Sequence, residues 1–562
     1  MRHAFLPLVV LFGASSLAAQ SQYPITTLVL EGEAVTGVGH VTRIDNLAVN
    51  DSGNWLVEAD TDNADTDADG VVLENGALYL REGQSLPLPL GSTLRAFDSV
   101  YLDAFGDALH NFFLDGTTGI SDDTGIYFNT TLMIQESEIS LAPELTAGTP
   151  YKGFVEVKPN AGAQALVMAS VDDAAISSTT DRALIILSHD GSGGLVSESA
   201  IAKEGDVLPG QTASLTDFES GPHNFAFNDA AYAMFVADLG GDTDFNNAIY
   251  IWDGGANNLI AQKGLAATVS PTREWDSLAS TKVDLGFAQK KIEGTSIPYV
   301  YTGSLTGDAS TNSIIVKNTS HGERKLIQEG DVVSGAGGFA LTGFGSGPVW
   351  LGDNGNVLFY GEWADPDTSK DTGLFLNGQL IVQEGVTTIG GFTVNALRGM
   401  QDGYALSDSG RYIVFEAELS NGNEGAFLID TGGAWQNLDA WLSPTALSAV
   451  EPGAAITALG IGTLAPSTPL TLSLSNATPS TAATLVAGPV LQDAPFKGGF
   501  MVPYHTLLLG LGSTNADGVL TVPALWPGGL PSGITFYMQW WLSDPLGPFG
   551  LVASNGLAAT TP

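Results

Sequence analysis

The stretch that decides the fold is Lys203-Glu204-Gly205-Asp206-Val207-Leu208-Pro209-Gly210, because variants of its opening recur along the chain. A strand-like run that ends in Glu-Gly or a close variant, which we call the first marker, occurs seven times: at Leu30-Glu31-Gly32, Arg81-Glu82-Gly83, Gln135-Glu136-Ser137, Lys203-Glu204-Gly205, Gln262-Lys263-Gly264, Gln328-Glu329-Gly330 and Gln383-Glu384-Gly385. Successive copies are 51 to 68 residues apart, from 32 to 83 at the shortest and from 137 to 205 at the longest. A period of this size indicates a repeat architecture.

A second marker, rich in Asn, Asp and Gly, follows every first marker in the same order. Its copies are Asn50-Asp51-Ser52-Gly53, Asp103-Ala104-Phe105-Gly106, Asn160-Ala161-Gly162, Asn228-Asp229-Ala230-Ala231, Asp284-Leu285-Gly286, Asp353-Asn354-Gly355 and Asp408-Ser409-Gly410. These residue types favour turns, because Asn and Asp side chains bond their own backbone and Gly accepts a positive φ. We therefore predict a tight turn at each copy.

The rest of each repeat reads as β-strands. Apolar runs such as Trp55-Leu56-Val57 and Ile413-Val414-Phe415 follow the second marker, and an Asn-Gly hairpin closes the clearest units, at Asn75-Gly76 and Asn377-Gly378. Four strands per unit is the size of a propeller blade. The sequence thus predicts an all-β fold, a seven-bladed β-propeller with four antiparallel strands per blade over residues 21–440. An open solenoid of the same repeats is the alternative.

The ends of the repeat region predict how the ring closes. The seventh unit ends its third strand at Phe427-Leu428-Ile429 and has no fourth strand. The first predicted strand of the repeat region, Thr26-Thr27-Leu28-Val29-Leu30, is a fourth strand with no blade before it. We expect the two to pair, because pairing would leave no exposed sheet edge.

Residues 453–562 are predicted to form a separate C-terminal β-sandwich after a linker at 441–452. Charge falls in this region, and short strands such as Ile534-Thr535-Phe536-Tyr537-Met538 alternate with turns such as Asn515-Ala516-Asp517-Gly518. At the other end, residues 1–20 have the layout of a secretory signal peptide, with Arg2 and His3 ahead of an apolar run too short to span a bilayer. We therefore expect an exported monomer, secreted or at the cell surface or periplasm, without a transmembrane segment.

Composition excludes several function classes. The chain has 61 Asp and Glu against 20 Lys and Arg, a formal charge of −41, so we expect no binding to nucleic acid or anionic lipid. Cysteine is absent, which excludes disulfides, thiolate nucleophiles and Cys-based metal sites.

Many of the carboxylates fall in the predicted loops between strands 2 and 3. In a four-stranded meander these loops share a face with the first markers, and the second markers lie on the opposite face. This predicted acidic face, which we expect to bind the ligand, contains Asp60, Asp62, Asp65, Asp67, Asp69, Asp115, Asp122, Asp123, Asp172, Asp173, Asp181, Asp238, Asp242, Asp244, Asp365, Asp367 and Asp371.

Calcium is the one cofactor that the sequence suggests. In Asp65-Thr66-Asp67-Ala68-Asp69-Gly70, alternating carboxylates precede a Gly at the sixth place, a spacing that wraps oxygens around a hard cation. The motif resembles the calcium loops of integrin-type propellers and thrombospondin repeats, except that Gly76 stands where an EF-hand has its bidentate Glu. Metal binding by Asp65, Asp67 and Asp69 is one interpretation, and a solvated acidic loop is the other.

Catalytic motifs are weak, so we predict no catalytic residues. His110 lies within a strand, which favours a structural role. His223 follows Ser220-Gly221-Pro222, and the same tripeptide recurs at 346–348 without a histidine, which favours a turn. Carboxylate pairs for glycoside chemistry remain open because their separation cannot be seen in the sequence. Most tryptophans fall in or beside strands, which favours packing over sugar stacking: Trp252, Trp275, Trp350, Trp363, Trp526, Trp540 and Trp541.

Two resemblances bear on fold and location. The repeat, best shown by Glu204-Gly205 leading to Asn228-Asp229, resembles tandem-repeat β-propellers of exported environmental bacterial proteins over roughly residues 22–438. The tail, through Asp517-Gly518 and Ser554-Asn555-Gly556-Leu557, resembles a C-terminal module appended to such proteins. Neither group supplies catalytic residues to carry over.

Three functions remain open from the sequence. The first is a noncatalytic exported binding protein whose acidic face takes an extracellular ligand, a glycan or a protein, with the C-terminal module serving attachment or sorting. The second is an extracellular polysaccharide-active enzyme, hydrolase or lyase, on a propeller scaffold. The third is a structural component of the cell envelope.

Overall fold

The computed structural model describes residues 23–176, 181–218, 224–278, 298–319, 322–400, 402–438 and 454–562. Strands dominate throughout, and the helical segments in these ranges are the 3-10 turns Ala309–Thr311 and Pro548–Gly550. The predicted all-β class is therefore confirmed. Nothing in the described ranges is a helix with the length and hydropathy needed to cross a bilayer. The predicted signal segment 1–20 and linker 441–452 lie outside the described residues.

Residues 25–430 form seven antiparallel sheets, which we number in the order of the repeats. Sheet 1 contains β2 (Ala34–Val35), β3 (Gly39–Val49), β4 (Trp55–Thr61), β5 (Gly70–Glu74) and β6 (Ala77–Arg81). Sheet 2 contains β7 (Thr93–Leu102), β8 (Ala108–Asp115), β9 (Thr124–Phe128) and β10 (Thr131–Gln135). Sheet 3 contains β11 (Tyr151–Asn160), β12 (Gln164–Val171), β13 (Asp181–His189) and β14 (Leu195–Lys203).

The remaining sheets have the same antiparallel order, but their first strand is divided into two pieces or is preceded by a short extra strand. Sheet 4 contains β15 (Leu215–Phe218), β16 (Phe225–Phe227), β17 (Ala233–Leu239), β18 (Asn247–Trp252) and β19 (Asn257–Gln262). Sheet 5 contains β20 (Ala266–Ala267), β21 (Ser270–Ser277), β22 (Val300–Leu305), β23 (Ser313–Thr319) and β24 (Gly322–Gln328). Sheet 6 contains β25 (Leu341–Gly343), β26 (Trp350–Leu351), β27 (Val357–Trp363), β28 (Thr372–Leu376) and β29 (Gln379–Gln383). Sheet 7 contains β30 (Thr388–Ile389), β31 (Phe392–Leu397), β32 (Tyr404–Leu406), β33 (Tyr412–Leu419), β34 (Glu424–Asp430) and β1 (Ile25–Leu30).

The N-terminal strand closes the ring as the sequence predicts. β1 pairs antiparallel with β34, with Ile25 opposite Ile429 and Thr27 opposite Phe427. Separate hydrophobic clusters join every consecutive pair of sheets, including sheet 7 to sheet 1 through Val414 and Val57. Strand β12 shows why both faces of a sheet are apolar, because Val167 packs toward sheet 2 and Met168 toward sheet 4. The seven sheets therefore form a closed circle, the arrangement of a β-propeller.

The first marker is a turn that ties each sheet to the next one. Its third residue has φ between 67° and 87° in all seven copies, including Ser137 at 71°. The backbone N–H of that residue donates to a carbonyl in the following first strand in every copy, over 2.8 to 3.0 Å, as from Gly205 to Leu215. Glycine prevails at the position because it alone reaches this φ without strain.

The acidic residue of the first marker also has a structural role. In five copies its carboxylate accepts a hydrogen bond from the first residue of strand 3, as Glu82 does from the Gly70 amide at 2.9 Å and Glu384 from the Thr372 hydroxyl at 2.6 Å; the other three acceptors are Glu31, Glu136 and Glu329. Part of the negative charge of the chain is thus used to hold strands 3 and 4 together.

The C-terminal module contains two larger sheets that share one hydrophobic cluster, with Ala458 and Leu472 on one and Leu485 and Trp540 on the other. Its strands are β35 (Trp435–Leu438), β36 (Thr457–Ile461), β37 (Pro469–Ser475), β38 (Ala482–Gly488), β39 (Leu491–Phe496), β40 (Gly499–Pro503), β41 (Leu507–Ser513), β42 (Leu520–Leu525), β43 (Thr535–Ser543) and β44 (Leu551–Thr560). The sheet orders are β35-β44-β43-β38-β41 and β36-β37-β42, and β39 pairs with β40.

The module begins earlier in the chain than the predicted boundary. Strand β35 lies before residue 440, yet it pairs with β44, and the Trp435 ring is buried in the core of the module. The Trp435 indole N–H also donates to the Gly462 carbonyl at 3.1 Å. Residues 435–438 therefore belong structurally to the module and not to the ring.

The module contacts sheet 6 through buried hydrogen bonds. The Thr457 hydroxyl donates to the Asn377 carbonyl at 2.6 Å, and the Asn476 amide donates to the Gly378 carbonyl at 3.0 Å. On the module side, Asn555 accepts from the Ala458 amide at 2.6 Å and donates to the Asn437 side chain at 2.8 Å. The motif Ser554-Asn555-Gly556-Leu557 thus holds three strands of the module together.

Two matched marker glycines test the role of the turn. Both have a positive φ, 87° at Gly205 and 77° at Gly264, but a β-carbon would meet nothing within 4 Å at Gly205, whereas at Gly264 it would lie 2.5 Å from the Asp244 carbonyl oxygen. We expect Gly205→Ala to cost about 1 kcal/mol from φ strain alone, and Gly264→Ala to cost about 2 kcal/mol more. Urea unfolding measures both, and equal costs would contradict the tight contact.

Candidate functional site

The first strands of six sheets are interrupted at a similar position, a few residues before the second marker. Register shifts occur between Ile44 and Leu47 in β3, between Phe97 and Ser99 in β7, and between Phe154 and Glu156 in β11. In sheets 4, 6 and 7 the first strand is split into two pieces, β15 and β16, β25 and β26, and β31 and β32. Such bulges redirect side chains and are common beside functional sites.

The breaks place carboxylates on the axis of the ring. Asp45, Asp98, Glu156 and Asp402 each lie four to six residues before the second marker of their repeat, which begins at residue 50, 103, 160 or 408. Asp98, Glu156 and Asp402 line a cavity, which extends from the breaks to the second-marker turns at Asp103, Asn160 and Asp408. Three different sheets therefore contribute acid groups to one space.

Lys158 places an ammonium group in the same cavity. Its Nζ lies 4.8 Å from the ring centre of Tyr101 and 5.8 Å from those of Phe225 and Trp350, which belong to sheets 2, 4 and 6. The Tyr101 hydroxyl is 3.3 Å from Nζ, and only 8% of Lys158 is exposed. Aromatic faces attract cations, so the rings stabilise this charge.

The surroundings of Asp98 raise the pKa of its carboxyl. Burial raises its pKa and the charge of Asp402 raises it further, while a hydrogen bond from the Asn111 amide, at 3.0 Å, opposes the rise. Asn111 is fully buried and also donates to the Phe154 carbonyl at 3.1 Å, so it fixes the orientation of Asp98. A carboxylate that keeps a negative charge against burial binds cations and hydroxyl donors strongly.

A second acid cluster lies at the seam between sheets 7 and 1, on the side of the acidic loops. The Arg398 guanidinium lies 2.7 Å from Glu416 and 3.0 Å from Glu424, and Glu424 accepts the Ile44 amide at 3.0 Å. Burial and the neighbouring Glu424 raise the pKa of Glu416 to about 10. Burial also acts to raise the pKa of Glu424, but its hydrogen bonds with Glu416 and Ile44 and the charge of Arg398 lower it overall. The pair therefore holds one proton and one negative charge, balanced by Arg398.

Glu58, on β4, lies beside these groups. Burial raises its pKa to about 8, and the charges of Asp45, Asp402 and Asp60 add to the rise, against a hydrogen bond from Asn46 at 2.5 Å. Acidic side chains, with Asp98, Glu156 and Asp402 in the cavity wall, outnumber the basic ones in this region. Such a region attracts a cationic or hydroxyl-rich ligand.

The predicted acidic face exists, but most of its carboxylates hold the loops in place. A β-carbon at Gly83 would lie 3.3 Å from the Asp67 carbonyl, which places the first-marker turn beside the strand 2–3 loop as expected. Within the loops, Asp122 accepts the Gly119 amide at 2.9 Å and Asp367 accepts the Ser369 hydroxyl at 2.7 Å. The cavity extends toward the opposite, second-marker end of the ring.

The predicted metal residues lie in one exposed loop. The Asp65 carboxylate accepts the Asp67 amide at 3.3 Å, and Asn63 accepts the Asp65 amide at 3.1 Å, so the loop is an Asx-type turn. In the parts of the chain that the structure describes, no three His, Cys, Asp or Glu side chains are grouped so as to hold a metal. Calcium binding by Asp65, Asp67 and Asp69 stays a prediction of the sequence.

The other residues considered from the sequence take packing roles where they are described. His110 is fully buried, with its ring 4.8 Å from that of Phe112. Trp363 and Trp540 are buried in cores, whereas Trp350 lies partly in the cavity wall and its indole N–H donates to the Tyr404 carbonyl at 3.1 Å. His223, the second marker at 284–286 and the irregular part of the fifth repeat, 286–299, lie wholly or mostly outside the described residues.

The cavity residues were missed because each looks ordinary in its own strand. Their signal is periodic: an acidic residue four to six places before the second marker, in the first, second, third and seventh repeats. Tyr101 and Lys158 have no such sequence signal, because their proximity depends on sheets far apart in the chain.

Comparisons with known proteins add little to this geometry. No family model and no curated protein matches the chain. Among solved structures, a mutant of Trypanosoma rangeli sialidase displaying trans-sialidase activity is similar with a TM-score of 0.28 and 9% identity, covering 98% of this chain and 97% of that chain. Penicillium chrysogenum alpha-L-arabinanase complexed with arabinobiose is similar with a TM-score of 0.24 and 11% identity, covering 73% and 99%.

The raised pKa of Glu58 gives a prediction about stability. Below about pH 4.5 the carboxyl is protonated in both the folded and the unfolded state, whereas between pH 4.5 and 8 only the unfolded state ionises freely, so folding loses free energy as pH rises. We expect Glu58→Gln to stabilise the protein at pH 8 by on the order of 2 kcal/mol, and to have little effect near pH 4.5. Urea unfolding at both pH values measures this, with exposed Glu33→Gln as the control; an equal effect at both pH values would contradict it.

Proposed function

We propose that this protein is an exported, noncatalytic binding protein that holds a small polar ligand in the axial cavity. The observation that carries the proposal is the convergence of Asp98, Glu156, Asp402 and Lys158 with aromatic rings in one concave space. Ligand sites are typically concavities in which a few polar groups converge, and this cavity has such a lining. The proposed ligand site is therefore the axial cavity, in place of the acidic loops that the sequence predicts.

Carboxylates and rings suit a glycan or another hydroxyl- or amine-bearing molecule. Carboxylate oxygens accept hydrogen bonds from hydroxyls and amines, and aromatic faces pack against the C–H faces of sugars or against cations. The rigid closed ring fixes these groups before the ligand arrives, which lowers the entropic cost of binding.

In this proposal, the role of the C-terminal module is attachment or sorting. Between residues 454 and 562 its charged side chains are Asp493, Lys497, Asp517 and Asp544, so it lacks the strong charge of the ring. Its buried contacts with sheet 6 would hold the ring in a defined orientation on whatever surface the module joins.

The test is ligand binding by variants that remove charge from the cavity. We expect a panel of neutral, amino and uronic oligosaccharides and small amines, screened by thermal shift and calorimetry, to yield a ligand whose affinity falls at least about tenfold in Asp98→Asn and Asp402→Asn. Asp98→Asn should fold at least as well as the wild type, because burial and Asp402 already oppose its charge. Glu33→Gln, which removes an exposed carboxylate, is the control, and a ligand that binds all variants equally would place the site elsewhere.

A second candidate, a polysaccharide hydrolase or lyase, rests on Asp98 and Asp402. Both line the cavity and their charges interact, and burial and Asp402 raise the pKa of Asp98, as general acid catalysis requires. New reducing ends or unsaturated ends from a polysaccharide panel, lost in Asp98→Asn, would favour the enzyme over the binding protein.

Calcium binding at the loop of Asp65, Asp67 and Asp69 is a separate proposal. If the native state alone binds the ion, calcium should raise the melting temperature by a few degrees, and a chelator should reverse the rise. Asp67→Ala should abolish the shift, while magnesium should not reproduce it. No shift with calcium, in the wild type or the variant, would contradict this proposal.

A further inference from the structure

The axial cavity already holds one organic cation, the side chain of Lys158. Its ammonium lies among rings contributed by Tyr101, Phe225 and Trp350, from three sheets other than its own. The residue is nearly buried, so this placement is part of the core of the ring and not a surface contact. The position of Lys158 therefore shows that the cavity accommodates an organic ammonium group.

Charge in the cavity favours a cationic ligand over an anionic one. The described residues that line it include five carboxylates, Asp98, Asp103, Glu156, Asp402 and Asp408, and one basic side chain, Lys158. Five acids less one base leaves a formal charge of −4, which repels an anion and attracts a second cation.

The chemistry of the walls favours an organic ammonium over a metal ion. A hard metal ion requires several oxygen ligands converging on one point, and the described residues contain no group of three or more acidic or histidine side chains arranged in that way. Aromatic faces, by contrast, bind ammonium groups through their quadrupole and through contact with the attached carbons.

We propose that the ligand of the axial cavity carries an organic ammonium group, and that Lys158 occupies the place of this group in the unliganded protein. The proposal rests on the function proposed above and narrows its ligand class to amines, including amino sugars. Binding then requires the Lys158 side chain to leave the ring cage. The measured affinity of the wild type is therefore the affinity of the open cage multiplied by the fraction of molecules in which the cage is open.

Lys158→Ala provides the test, because it removes a propylammonium group from the cavity. We expect n-propylammonium chloride to bind this variant by calorimetry at one site, at least about tenfold more tightly than it binds the wild type. It should also raise the melting temperature of the variant with increasing concentration. n-Propanol, which has the same size without the charge, and sodium chloride at equal ionic strength should do neither.

Asp98→Asn and Asp402→Asn, introduced into Lys158→Ala, locate the binding. We expect each to weaken n-propylammonium binding at least about tenfold, whereas Glu33→Gln in the same background should leave it unchanged. Equal effects of propanol and propylammonium, or binding unaffected by both aspartate changes, would overturn the proposal.

If Lys158→Ala fails to fold alone, its refolding yield with and without propylammonium is measured instead, and rescue by the amine supports the proposal. If neither condition gives folded protein, titration of the wild type and of Asp98→Asn with propylammonium decides, and no detectable binding to the wild type overturns it. A neutral saccharide that binds in the cavity while amines do not would overturn the amine assignment and leave the proposed binding function standing.

Discussion

Closure of the ring is the constraint on which the rest of the structure depends. The pairing of β1 with β34 joins the first residues of the ring to the last, and the cluster around Val57 and Val414 buries the seam between sheets 1 and 7. Once the circle is closed, seven first strands must converge on one axis. The cavity, the shared depth of the strand breaks and the approach of Tyr101, Phe225 and Trp350 to Lys158 all follow from that convergence.

Two kinds of acid group coexist in this chain, and the structure separates them. Marker residues such as Glu82 and Glu384, and loop residues such as Asp122, accept hydrogen bonds from nearby backbone or hydroxyl groups, so their charge stabilises turns. Asp98 and Glu58, in contrast, have raised pKa values, because burial and like charges act against their ionised forms. Side chains held against an unfavourable electrostatic environment are the ones expected at a functional site.

The same reasoning explains why the site is not on the face where carboxylates are most numerous. Exposed loop carboxylates are screened by water and salt, so their number adds little binding energy at any one point. On the axis, fewer groups act on one enclosed volume, and the breaks in β3, β7 and β11 direct them inward. The two ends of the ring therefore differ in role: one carries the structural acidic loops, and the cavity extends toward the other, where the second-marker turns lie.

The sequence by itself determined the all-β class, the repeat and its turns, and the strand that closes the ring, because these depend on residues near one another in a periodic chain. Asn75-Gly76 and the first-marker glycines have the positive φ that their residue types predict. Only the tertiary structure decided the site. Asp98, Lys158 and Asp402 lie in separate repeats. Phe225 and Trp350 approach Lys158 from other sheets of the ring. The proximity of these residues therefore cannot be predicted from any local sequence pattern. The start of the C-terminal module was also visible only in the tertiary structure. Trp435 follows the last repeat in sequence, but its side chain packs into the core of the module.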